Sequence, residues 1–197
     1  MKWSHVAPIG KLFDFIEFLI RHPNCSNQLR SELANVFVTE RAPYRIVDGQ
    51  IVAIGTEEQA EVLQKALADA AADGAKAART HLVAAGVALR NSSWADSVRE
   101  SIHAVEAMAF RLSPEANSLG KALATLEKQG HLHGSLKVAF QALYGYSSDE
   151  EGVRHALVFN GEPKVDEADA MFMLGACASF VSYLLARKSQ TKEQNDL

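Results

Sequence analysis

The 197-residue chain reads as mainly α, a helical bundle preceded by a small N-terminal unit of helices and a β-hairpin. Three observations predict that class. Apolar residues recur at helical spacing along most of the chain, most regularly at Trp94, Val98, Ile102, Val105, Met108 and Leu112. Alanine is abundant and only 5 residues are Pro, a composition that favours helix. One stretch alone, residues 44–54, carries β-branched residues on both sides of a two-residue turn signal, Asp48-Gly49.

The elements follow in order. Residues 8–21 predict a first helix, with Leu12, Phe13, Phe15, Ile16, Leu19 and Ile20 as a wide apolar face. Asn24 is the expected cap of a second helix, running to about Val38. The hairpin comes next, and a two-stranded hairpin needs helices to pack on. Thr56 starts a third helix, with Glu57, Glu58 and Gln59 in its first turn, and Gly74 marks a break. Another helix runs to about Arg90, and Asn91-Ser92-Ser93 forms a cap and turn. Trp94 to Leu112 is the most periodic helix, ended by Ser113-Pro114. Leu119–Lys128 is a shorter helix before Gly130, and residues 132–144 form another. Asp166 caps a last helix to about Arg187, and the polar tail after it reads as disordered. The predicted division is 1–73 for the helix–hairpin unit, 74–188 for the bundle and 189–197 for the tail.

Hydrophobic content of 48% and charged content of 22% fit a soluble globular protein. A formal net charge of −4 argues against strong nonspecific binding to nucleic acid, which excess Lys and Arg drive, but leaves room for a local basic site. Cys25 and Cys177 are far apart and lack metal spacing, so they read as reduced thiols. The first residues lack the apolar run of a signal peptide, and a cytoplasmic location is expected. Residues 170–186 carry no formal charge and sit at the lower edge of membrane-spanning length; they read as a core or subunit-interface helix, with no membrane partner.

Two segments concentrate chemistry. Residues 143–157 read L-Y-G-Y-S-S-D-E-E-G-V-R-H-A-L, with Tyr146 near the start and Arg154 beside His155. Arg is a fixed forked cation suited to phosphate, and His titrates near neutrality. The plainer reading is a helix start capped by Ser147, Ser148 or Asp149. On the 94–112 helix, Arg99, His103 and Glu106 fall at i, i+4 and i+7, one stripe beside the apolar face. The alternative there is a solvated row of helical ion pairs. His131-Leu132-His133 has two metal-capable rings but no third ligand nearby in sequence, and Lys121, Lys128 and Lys137 give that region a weak anion-facing patch. Phosphate-loop, G-x-S-x-G and H-E-x-x-H motifs are absent.

The order N-S-S-W-A-D-S-V-R-E-S-I-H-A-V-E-A-M, S-L-G-K-A-L-A-T-L-E, the 143–157 segment and D-A-M-F-M-L-G-A-C-A-S-F-V-S-Y-L-L resembles bacterial abortive-infection proteins of the AbiJ-like group. The resemblance covers about residues 91–187. The preceding Y-R-I-V-D-G-Q-I-V-A-I-G-T-E-E-Q is similar to the segment before that domain in the group. The resemblance implies a HEPN-type helical bundle that dimerises, in phage defence, often as a metal-independent endoribonuclease. In such proteins an Arg, a following polar residue and a later His carry the reaction. Arg154 matches the Arg and His155 the polar position. The later His is missing where the chain runs A-L-V-F-N-G-E, so His103 or His155 itself would stand in. The expected catalytic set is therefore Arg154, His155, His103 and Glu106, with Arg99, Tyr146 and Lys121 meeting substrate and neither metal nor cofactor. The expected partners are RNA, a second copy of the chain and a partner protein at the N-terminal unit. The alternative is a non-catalytic dimerising module that recognises RNA, nucleotide or protein.

Overall fold

Two antiparallel strands and eight helices make up the described residues, 9–149 and 165–195, of the computed structural model. The mainly α prediction holds. In chain order they are α1 (Ile9–Arg21), α2 (Asn27–Thr39), β1 (Tyr44–Val47), β2 (Gln50–Ala53), α3 (Glu57–Ala72), α4 (Lys76–Arg90), α5 (Trp94–Leu112), α6 (Leu119–Lys128), α7 (Gly134–Asp149) and α8 (Glu167–Asn195).

Helix α5 is the axis of the bundle, packed on α4 and α8 and touched by α6 and α7. Its sequence explains the position. Val98, Ile102, Val105 and Met108 are buried as the periodicity predicts, and so are Ser97, Ser101, Ala104 and Ala109 beside them. Those small residues let neighbouring helices approach on a second side. The buried Ser101 hydroxyl returns its hydrogen bond to the Ser97 carbonyl at 2.7 Å, so it needs no partner from elsewhere. Helix α8 contributes Ala170, Met173, Leu174, Cys177, Ala178, Phe180, Val181, Leu184 and Leu185 to the same core. Residues 167–188 are long and apolar enough to cross a membrane by length and composition, and half of that window is buried within the bundle.

The hairpin forms where Asp48-Gly49 predicts it, with Val47 paired to Gln50 and Tyr44 to Ala53. Both turn residues have positive φ, 52° and 75°, the geometry that matches the twist of the flanking strands. Its outer cluster, Phe13, Phe37 and Ile51, joins α1 and α2 to β2. Val52, Ala53 and Ile54 belong instead to the main core of the bundle. Gly86 of α4 lies directly under β2, where a Cβ would come to 2.9 Å from Val52 Cβ.

Polar contacts reinforce this junction. Glu17 of α1 accepts the Ile51 backbone N–H at 2.8 Å and pairs with Arg90 of α4, and Arg90 also donates to the Ile51 carbonyl at 3.0 Å. The Arg45 guanidinium is almost fully buried, forks onto both carboxylate oxygens of Glu57 at 2.9 and 3.0 Å, and donates to the Ala42 and Tyr44 carbonyls. Asp48 pairs with Arg79 of α4.

Several boundaries differ from the sequence reading. The cap of α2 is Ser26, whose hydroxyl accepts the Leu29 N–H at 3.1 Å, rather than Asn24. Asn24 lies in the preceding turn, where Cys25 N–H reaches the His22 carbonyl. Helix α7 begins at Gly134, two residues later than expected, and runs through Asp149. Residues 147–149 therefore fall inside α7. Helix α8 continues to Asn195, across residues read as a disordered tail; that stretch has no Gly or Pro to stop it. Its start is as predicted: Asp166 accepts the Asp169 N–H at 3.0 Å, and Asp169 returns the bond to the Asp166 N–H at 3.3 Å.

Candidate functional site

The α4–α5 face gathers the side chains best suited to chemistry. Glu100 and His103 are three apart on α5, so helical geometry sets them on one side. His81 reaches across from α4, its Nδ1 2.7 Å from Glu100 Oε2. An ionised carboxylate only accepts, so Nδ1 is the donor in this contact. The His81 and His103 rings meet edge to face with centroids 5.3 Å apart. One donor atom from each of the three residues lies within 4.8 Å of the others, and among the described residues they alone form such a group of three His, Cys, Asp or Glu side chains. The site is accessible: the side chains of His81 and Glu100 are 34% and 27% exposed.

Glu100 also lines an open groove of about 470 Å³, bordered by Thr80, Asn91, Asp96, Arg99 and Gln50 of the hairpin. Arg99 pairs with Asp96 one turn earlier on α5. Two imidazoles and a carboxylate thus meet on one pair of packed helices, and Glu100 also lines the groove that holds Arg99, which neither imidazole lines. That arrangement can pass protons, hold a cation or meet an anion.

Of the residues singled out from sequence, Arg99, His103 and Glu106 share α5 and are all half-buried. Lys121 is exposed on α6 and lines a different groove, with Ser113, Pro114, Lys128 and Gln129. Tyr146 packs against the bundle core from α7. Neither lines the α4–α5 groove. Arg154 and His155 lie outside the described residues. At the His131-x-His133 pair, the His133 ring accepts the Ser135 backbone N–H at 3.2 Å, while both ring nitrogens of His131 are buried without a hydrogen-bond partner.

The sequence reading named neither His81 nor Glu100 among the candidate site residues. Glu100-x-x-His103 was a usable signal, because that spacing points both side chains one way. Nothing local marks His81, which is joined to them only by the register of two packed helices.

Comparison with known proteins bears on the other end of the chain. Residues 2–69 match the family model described as AbiJ N-terminal domain 4. The N-terminal part of the chain is thus similar to an AbiJ N-terminal domain. Within the described residues it spans α1, α2, the hairpin and α3 as far as Asp69. The His81–Glu100–His103 face lies wholly after the AbiJ match. No curated protein and no solved structure matches the chain.

Proposed function

We propose that this chain is an abortive-infection protein of phage defence whose helical bundle acts on RNA at the α4–α5 face. The AbiJ-related N-terminal domain supports the defence setting, and the His81–Glu100–His103 cluster beside Arg99 carries the chemical part. Cleavage by a ribose 2′-hydroxyl requires a group to take its proton, a group to protonate the departing 5′-oxygen, and positive charge near the phosphoryl oxygens. His81, oriented by Glu100, supplies the first. His103 supplies the second, and Arg99 at the groove supplies the third. The products are a cyclic phosphate and a free 5′-hydroxyl.

The test is cleavage of total RNA and defined tRNAs in EDTA, comparing wild type with His103→Ala, Arg99→Ala and Arg154→Ala. Loss of about 10²–10⁴-fold in His103→Ala, with an unchanged melt, supports the reading. An inactive wild type, or a folded His103→Ala at full rate, overturns it. A binding module that breaks no bond is the second reading, favoured by one observation: Arg99 is paired to Asp96, which draws its charge away from a phosphoryl transition state. Salt-dependent RNA retention without turnover decides for it. The reading includes a homodimer, checked by light scattering. It also includes a partner protein at the N-terminal unit, supported by Phe15 and Phe18 of α1, which stand 56% and 64% exposed.

A further inference from the structure

We infer that His81, Glu100 and His103 form a binding site for one first-row divalent cation of the Zn²⁺ type. Two imidazole nitrogens and one carboxylate oxygen are a borderline donor set. Zn²⁺ takes such sets readily, as three protein ligands with a fourth position left to water. Ca²⁺ and Mg²⁺ prefer all-oxygen shells and are poorly served.

The geometry is close to what such an ion needs. The three donor atoms already lie within 4.8 Å of one another. Ligands at ~2.1 Å in a tetrahedral site stand roughly 3.4 Å apart. Side-chain rotation suffices to close the difference, because the side chains of His81 and Glu100 are 34% and 27% exposed, His103 is half-buried, and the helices beneath them need not move. The backbone positions are firm: Leu82 and Val83 of α4 and Val98 and Ile102 of α5 are buried in the common core. A His81–Glu100 hydrogen bond by itself has no use for His103. The second imidazole, edge-on at 5.3 Å, is the donor that an ordinary ion pair leaves unexplained and a cation site requires. Glu100 at the lip of the groove gives the ion a way in and leaves its fourth position open to solvent.

The site stands without any assumption about RNA. Where the RNA reading also holds, a bound ion occupies the lone pairs that proton transfer uses, and Zn²⁺ acts as a brake on cleavage.

The experiment uses the full chain, stripped with EDTA and dialysed, titrated with Co²⁺ alone and followed by its visible absorption. Zn²⁺ is then added to displace it. Uptake of one Co²⁺ per chain is expected, with affinity at least about tenfold weaker in His103→Ala and in Glu100→Gln, and unchanged in His133→Ala. Glu100→Gln keeps the side-chain shape, so it reports on the site even where an imidazole deletion disturbs folding. No saturable uptake, or uptake lost in His133→Ala and kept in His103→Ala, overturns the inference. RNA cleavage in EDTA with no Co²⁺ uptake removes the ion site and leaves the RNA reading. Co²⁺ uptake without any cleavage does the reverse.

Discussion

Replacing Glu17 by Ala tests how firmly the N-terminal unit is fastened to the bundle. The Glu17 and Arg90 side chains are each only 11% exposed, and they join α1 to α4. The same carboxylate accepts the buried Ile51 N–H at 2.8 Å. Removing it leaves a buried guanidinium short of its counter-charge, a change worth about 3–5 kcal/mol. It also orphans a backbone amide, worth about 1–3 kcal/mol in isolation. The two losses share one side chain and do not add in full, and Arg90 keeps its bond to the Ile51 carbonyl. The expected loss is therefore about 4 kcal/mol, or roughly 10 °C in Tm for a chain of this size. Glu17→Gln retains an acceptor for Ile51 and should lose about half as much. Urea denaturation followed by circular dichroism measures both, and a double-mutant cycle with Arg90→Ala isolates the pair. A loss below about 1 kcal/mol in Glu17→Ala, or a coupling near zero with Arg90, would refute the reasoning.

Gly86→Ala gains about 1 kcal/mol of helix propensity but drives a methyl to 2.9 Å from Val52 Cβ, so a net loss of about 1–2 kcal/mol is expected in the same denaturation series. Burial pushes the Cys177 thiol up to about 12, whereas Cys25 is half-exposed; a thiol-reactive dye should label one cysteine quickly in the native protein and two in urea. Asp73 caps α3, with Lys188 at 2.6 Å and Arg111 at 3.0 Å. Burial pushes its carboxyl up, but the hydrogen bonds and charges of Lys188 and Arg111 outweigh that and hold it below the ordinary 3.8. The folded chain then binds this proton less readily than the unfolded one, so the contribution is full above 3.8 and fades as pH falls through the lower native value. Asp73→Asn should cost about 1 kcal/mol at neutral pH, and its difference from wild type should shrink as the solution is acidified below that range.

The regular parts of the fold were legible because their signals are local. Both ends of α5 match the reading, since Asn91-Ser92-Ser93 and Ser113-Pro114 punctuate it and its apolar period runs unbroken between them. The hairpin turn was legible because few dipeptides accept two positive φ values as Asp-Gly does. Capping misled where two candidates lay close together. Asn24 and Ser26 are chemically equivalent caps, and the choice follows from the His22–Cys25 turn and from Arg30, which holds the Ile20 and His22 carbonyls. Ser147-Ser148-Asp149 is compatible with a helix interior as well as with a start, and only the length of α7 places it inside. At the candidate site, His103 was visible through its stripe on α5. His81 was not, because it stands 19 residues from Glu100 on another helix. Glu17 was equally silent, its partner Arg90 being 73 residues away.

The seam between the matched region and the rest of the chain is not a place where the protein can be cut. The match stops at residue 69, inside α3, just before Ala70, which is fully buried in the bundle core. Helix α3 packs on α8 and α4, and β2 packs on α4. Exchange of this N-terminal unit between proteins therefore has to preserve more than its own hydrophobic residues. A transplanted unit needs a recipient whose fourth helix offers a glycine under the hairpin and an arginine at its far end. Units and bundles of this kind should vary as matched pairs, and a chimera that ignores the pairing should be insoluble before it is inactive.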